Sequence, residues 1–393
     1  MGGTHSNSTT CTRGSQPLDV QIKSGERSIS AITIFSVTPN EVEVMLAKQF
    51  PIQSIDSYPA QRWEYDIALY QMGNSAYHEA LYKMFLRYPG IVTLHDYSLH
   101  QFIAHRTVSA GNAIGYAREV GYELGQKGLG YLHSSRTEEQ LALLHNAPLN
   151  KRLLDLSLGT IIHSQYAKNL MVAQGGKTAV TVIPQHITIT TAKSRRQQLP
   201  FPDDAIIFAS AGQITTAKQV DFALRAFKKV RQENPHVYYL IIGEEVGDIN
   251  LSSIIHTLDL ADYVHHIDYV ASKEAFIDWI YTANIIINLR YPTIGETSAI
   301  ALRALATKRP LILFDHGWYS ELPDSTCIKI PPLDEEALVD AMLRVAQLPE
   351  KRQQLGEFGL QEIKENHDPK RIAQAYADFI HQQIHQPTHE HEA

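Results

Sequence analysis

The chain has 393 residues, 44% of them hydrophobic and 20% charged, with a formal net charge of −7. That length suits about two or three ordinary domains with their own cores, and the acidic balance leaves no footprint for nucleic acid. Cys11 and Cys327 are the only cysteines, which excludes a disulfide scaffold and suits a reducing compartment.

Residues 1–28 are polar and lack the apolar centre of a signal peptide, so they read as a disordered tail on a cytoplasmic protein. No apolar run approaches the roughly 18 residues of a spanning helix, so peripheral membrane contact would have to come from a local patch. From residue 30 onward, short β-branched runs alternate with helical periodicity. In the first half the runs are AITIFSV (31–37), DIALYQMG (66–73), GIVTLHD (90–96), GTIIHS (159–164) and VTVIPQ (180–185), with a largely helical insertion over 100–155. The polar stretch 190–204 reads as a linker. In the second half the runs are AIIFASAG (205–212), VYYLIIGE (237–244), YVHHIDYV (263–270), NIIINLR (284–290), PLILFD (310–315) and TCIKIP (326–331). Helices near 334–347, 350–365 and 369–384 close the chain before a His-rich tail at 386–393. Strands apolar on both faces and separated by helices indicate parallel sheets covered on both sides. The expected class is α/β, with two doubly wound domains, 29–190 and 200–365, a closing helix at 366–385, and a cleft between the domains.

In such sheets ligands bind beyond the carboxyl ends of the strands. After AIIFASAG comes a loop that places Lys218 at the expected start of a helix, where an ammonium and free amides suit a phosphate; a solvated surface lysine is the plain alternative. After NIIINLR comes YPTIGETS. Thr297 or Ser298 can cap the following helix, Gly295 permits close backbone approach, and Glu296 can accept two hydrogen bonds from a diol. In the first half, Gly73 and Asn74 follow one strand, and His95 and Asp96 end the next, with His100 one helical turn on. A metal pair, an acid/base His oriented by Asp, and polar-substrate ligands all remain open there, beside a structural His95. No third metal ligand stands at a suitable spacing, and the His-rich tail reads as disordered. No GxGxxG, Walker loop or nucleophile elbow is present.

Residues 205–385 resemble the nucleotide-sugar-binding half of family 4 retaining glycosyltransferases of the GT-B fold. The match rests on AGQITTAKQVDFALRAFKKV, VYYLIIGEE, NIIINLRYPTIGETSAIALRALATKRPLILFDHGWYSELP and the closing helices. YQMGNSAYHE, YPGIVTLHDYSLH and IIHSQYAKNLM carry a looser likeness in the first half. The resemblance implies two Rossmann-like domains facing a central cleft, 29–190 on the acceptor side and 200–365 for the nucleotide sugar. It implies transfer from a nucleoside-diphosphate sugar to a glycosyl acceptor, with retention, no cofactor and no bound metal. It assigns His95 and Glu296 to catalysis, and Lys218, Gln213, Arg290, Gly295, Thr297, Ser298, Gly73 and Asn74 to the donor. The departures are specific. Gln213 stands where the family has a phosphate-binding Arg, Gly295 stands at its first Glu and Arg303 at its second, with Arg290 offering a replacement charge. These losses make a nucleotide-sugar-binding pseudoenzyme that regulates or scaffolds a partner transferase the rival expectation, with an epimerase on the same fold behind it.

Overall fold

A computed structural model of the protein describes residues 19–25, 28–36, 50–132, 147–175, 178–247 and 249–385. These fall into two compact units: the described residues of 1–161, 177–179 and 382–393, and those of 162–176 and 180–381.

The second unit is built on a six-stranded sheet. Its strands are β8 (Ile206–Ala211), β9 (Val237–Ile242), β10 (Val264–Ile267), β11 (Ile285–Ile287), β12 (Leu311–Phe314) and β13 (Cys327–Ile330), in the order β10-β9-β8-β11-β12-β13. Every recorded pairing among them is parallel. Alternation explains why both faces are covered. Phe208, Tyr239, Ile241, Ile285, Ile287, Ile312 and Phe314 enter one core. Ile207, Ala209, Leu240, Ile242, Ile286, Leu311 and Leu313 enter the other, because successive side chains of a strand point to opposite faces. Helix Val220–Glu233 lays Phe222, Ala223, Ala226, Phe227 and Val230 on the first core. The chain runs outward from β8 to β10, returns, and runs outward again from β11 to β13. The order reverses between β8 and β11, so the loops after these strands emerge side by side at the switch point.

The seven-stranded sheet has the order β3-β2-β1-β4-β5-β6-β7. Its strands are β1 (Asp19–Gly25), β2 (Ser28–Ser36), β3 (Ile52–Ser54), β4 (Ile67–Met72), β5 (Ile91–Leu94), β6 (Gly159–Ile162) and β7 (Val180–Val182). Residues 19–25, expected within a disordered tail, form β1, which pairs antiparallel with β2 and β4. The alternation in DVQIKSG is a period-2 pattern that composition hides. The sheet is therefore mixed where a wholly parallel one was expected. Residues 1–18 and 386–393 lie outside the described ones.

The expected linker 190–204 also proves to be attached. Lys193 N donates to Asp278 Oδ1 at 2.7 Å, Arg195 N to Thr282 Oγ1 at 2.8 Å, and Arg195 pairs with Asp278 at 3.0 Å, all within the second unit. The final helix spans Pro369–His385, close to the expected 366–385.

Candidate functional site

At the end of β8 the backbone turns at Gly212 with φ +96°, where a Cβ would come 3.4 Å from Ile300 and 3.5 Å from Lys218 Nζ. The positive φ and not crowding is what favours glycine here, since those distances are ordinary contacts. Lys218 closes the short turn Thr216–Lys218. The helix begins only at Val220, behind Gln219 in the left-handed region, so the lysine sits before the helix and not in its first turn. Its surroundings lower its pKa to about 7, first by burial and then by repulsion from Arg290, with Glu296 opposing. Among the described residues it has no ion-pair partner.

The loop after β11 closes on itself. Glu296 accepts from Ile294 N at 2.8 Å and from Thr293 Oγ1 at 3.4 Å through Oε2, while Arg290 Nε lies 2.7 Å from Oε1. Oε1 is buried and takes this charge contact without accepting a hydrogen bond. Gly295, at φ +88°, makes the reversal that turns the Glu296 carboxylate back over the loop. Ser298, not Thr297, caps helix Ala299–Ala306: its Oγ accepts from Ala301 N at 3.2 Å and from Asn288 Nδ2 at 2.8 Å. Helix geometry leaves the amides of Ala299 and Ile300 without intrahelical acceptors. Tyr319 is buried beside this cap, and burial pushes its phenol up to about 12.

The structure therefore brings Lys218, Arg290, Gly295, Glu296 and Ser298 to one place, at the switch point of the second sheet. Gln213 stands apart, exposed and donating to Glu244 at 3.1 Å. Arg303, one turn beyond Ala299, has its pKa lowered by burial and no ion-pair partner among the described residues. A concavity of about 650 Å³ opens beside the same turn, lined by Thr215, Gln219, Asp221 and Arg225 among others, but it includes none of the cationic pair or Glu296. Three aromatic residues were not anticipated. Tyr166, Tyr291 and His316 lie around the Glu296 loop, His316 directly after β12, where the strand-end rule could have found it.

In the first unit, Asn74 N donates to Asp96 Oδ2 at 2.9 Å and Asn74 Oδ1 accepts from Phe102 N at 2.9 Å. A Cβ at Gly73 would come 3.0 Å from His78 and 3.2 Å from Asp96. His95 Nε2 donates to Gln71 Oε1 at 2.9 Å. His100 is committed elsewhere: Nδ1 donates to Ala147 O at 2.6 Å and Nε2 accepts from Tyr116 OH at 2.8 Å, and burial lowers its pKa. Both ring nitrogens being used, the reading of His95, Asp96 and His100 as a metal set loses a ligand. No cluster of three or more His, Cys, Asp or Glu side chains is placed to hold a metal among the described residues.

Comparison with known proteins sets this geometry in context. Residues 192–362 match the family described as "Glycosyl transferases group 1". The chain has the GT-B fold. It aligns with sucrose-phosphate synthase from Thermosynechococcus elongatus at TM-score 0.60 and 17% identity, covering 83% of this chain and 76% of that one. It aligns with Anabaena HepE in complex with UDP-glucose at TM-score 0.62 and 14% identity, covering 89% and 91%. In sequence it is 22% identical over 147 residues to the O-antigen biosynthesis glycosyltransferase WclY of Escherichia coli. That stretch covers 37% of this chain and only 39% of the length of that curated relative.

Proposed function

We propose that the protein is a glycosyltransferase that moves a sugar, with retention, from a nucleoside-diphosphate sugar to a glycosyl acceptor, without a bound metal. The observation that carries this is Lys218. A lysine whose pKa is pushed down to about 7 although Glu296 opposes the shift, and which forms no ion pair among the described residues, suits an added anion. Lys218 and Arg290 are close enough to repel one another, and with the first amides of helix Ala299–Ala306 they are the groups that would hold a diphosphate. Fixed cations and amides stabilise the charge that grows on the leaving diphosphate, and they need no reorganisation at the moment of reaction.

In this reading Glu296 has two tasks. Its Oε2 holds the loop and its Oε1 holds Arg290, and the carboxylate takes a donor hydroxyl when the donor binds. Gly295 lets the loop approach, and Thr297 and Ser298 line the helix start. His95, held by Gln71 in the first unit, with Gly73 and Asn74 on the neighbouring strand end, is what the family resemblance assigns to the reacting sugar. No protein nucleophile is invoked: the acceptor attacks from the face that the diphosphate leaves. UDP-sugars are the first donors to try because HepE, a structural neighbour, is complexed with UDP-glucose. WclY, named an O-antigen biosynthesis glycosyltransferase, supports the transferase reading.

Lys218→Ala should weaken binding of UDP, GDP or ADP, whichever the wild type takes, by about ten- to a hundredfold, as expected for a lost hydrogen bond to a charged group. Binding of the matching nucleoside should hardly change. Calorimetry showing equal losses for diphosphate and nucleoside would refute the assignment.

A further inference from the structure

We propose that Tyr166, His316 and Tyr291 form an aromatic seat for the sugar ring of the donor, next to Glu296; this rests on the donor reading above. The His316 ring lies between two others, 6.4 Å from Tyr166 at an interplanar angle of 63° and 5.7 Å from Tyr291 at 44°. All three are only partly buried, whereas the adjacent Trp318 and Tyr319 are turned into the core. Tyr291 packs against the first core of the second sheet, but neither of that sheet's two cores takes in Tyr166 or His316, and two partly exposed aromatic rings beside a charged loop call for another explanation.

The backbones of Tyr166 and Tyr291 are held by contacts that have nothing to do with stacking. Tyr166 begins helix Gln165–Ala173, whose first amides, those of Gln165 and Tyr166, both donate to the carboxylate of Glu321 in the turn that carries His316. That carboxylate at a helix start fixes the Tyr166 backbone against the His316 turn. Tyr291 N donates to Ala217 O at 2.8 Å, and its carbonyl accepts from Gln219 Nε2 at 3.0 Å. Tyr291 is thereby tied to the turn that holds Lys218. The seat runs from the phosphate side of the site to the Tyr166 helix, and the Glu296 loop lies along it. The Glu296 charge is close enough to Tyr166 to add to burial in raising the phenol's pKa.

The chemistry this suits is a pyranose. One face of such a ring presents C–H groups that lie well on aromatic rings, while its hydroxyls need acceptors, and the Glu296 carboxylate beside Tyr166 supplies one. Pockets of this kind combine aromatic walls with a few placed polar groups. A nucleobase would also stack, but it has no hydroxyl for Glu296 and is separated from the terminal phosphate by the ribose and the other phosphate.

The test is calorimetric titration of wild type, Tyr166→Ala, His316→Ala and Tyr166→Phe with UDP, GDP and ADP and with UDP-glucose, GDP-mannose and ADP-glucose. For the nucleotide that the wild type binds, the two alanine variants should lose about three- to tenfold in affinity for the sugar nucleotide and less than twofold for the bare diphosphate. Tyr166→Phe, which keeps the ring, should match the wild type. Equal losses for diphosphate and sugar nucleotide would make the trio a nucleotide contact and overturn the proposal, as would wild-type affinities in both alanine variants. Wild type binding none of the diphosphates would sink the donor reading itself, and the seat with it.

Discussion

A lysine at pKa about 7 makes a prediction that does not depend on turnover. At pH 8 the free protein holds Lys218 mostly neutral, because burial and Arg290 disfavour the ammonium. A bound diphosphate reverses the balance and raises the pKa, so binding at pH 8 must take up a proton, whereas at pH 6 the ammonium is already formed. Titrations with UDP, or with whichever diphosphate binds, in buffers of different ionisation enthalpy should show uptake approaching one proton at pH 8 and close to none at pH 6 beyond that of the phosphate itself. Lys218→Met should abolish the pH 8 uptake, and uptake unchanged in that variant would show that another group titrates. The same loop marks the limit of reading residues singly. Glu296 could be recognised as unusual from its place between strand and helix, but its first partners are its own loop and Arg290. No spacing rule announces a carboxylate folded back through a left-handed glycine.

Elements were legible in proportion to how local their cause is. The strands of the second sheet stand out as apolar runs, and a cap at Thr297 or Ser298 could be expected, because both follow from a few neighbouring residues. The attachment of 190–204 was hidden because its partners lie elsewhere in the chain, as do the rings around His316, and β1 because its polar composition hides a period-2 pattern. One such long-range tie has a measurable consequence. His163, at the end of β6, is buried and donates from Nδ1 to Ile183 O at 2.8 Å, just past β7. Burial, the hydrogen bond's weaker opposition, and the nearby His186 and His367 leave its pKa at about 4. His367 Nδ1 in turn donates to Gln185 O at 2.6 Å, facing Glu362, and Lys273 lies near His186. Because the folded pKa is below the unfolded value, this stabilisation is complete above about pH 6.5 and drains away as the pH falls towards 4, amounting to about 3 kcal/mol for His163. His163→Asn keeps a donor for Ile183 O but does not titrate. Its urea midpoint should be lower than the wild type's at pH 7.5 and should fall less between pH 7.5 and 4.5. Parallel pH slopes for the two proteins would show that His163 does not set the acid sensitivity.

For the molecule as a whole, the proposed transfer raises the question of what would balance the charge of a departing diphosphate. The sheet order places the loops after β8 and β11 together at the point where strand order reverses. Each loop brings one cation, Lys218 from the first and Arg290 from the second, and the helix that follows the second loop adds its positive end. Arg290 is shared, since Glu296 is already its partner at 2.7 Å, so the net positive charge offered to a ligand comes mainly from Lys218 and the helix amides. A transferase that relied on a divalent ion would need carboxylates or histidines to hold it beside the phosphates. If the protein's own cations are sufficient, kcat/KM with the accepted sugar nucleotide should stay within about twofold after exhaustive treatment with EDTA, and added Mg²⁺ or Mn²⁺ should change it no further. Loss of turnover on chelation, restored by either ion, would mean that the diphosphate leaves as a metal complex. Lys218 and Arg290 would then bind the donor in the ground state without supplying the charge that the reaction needs.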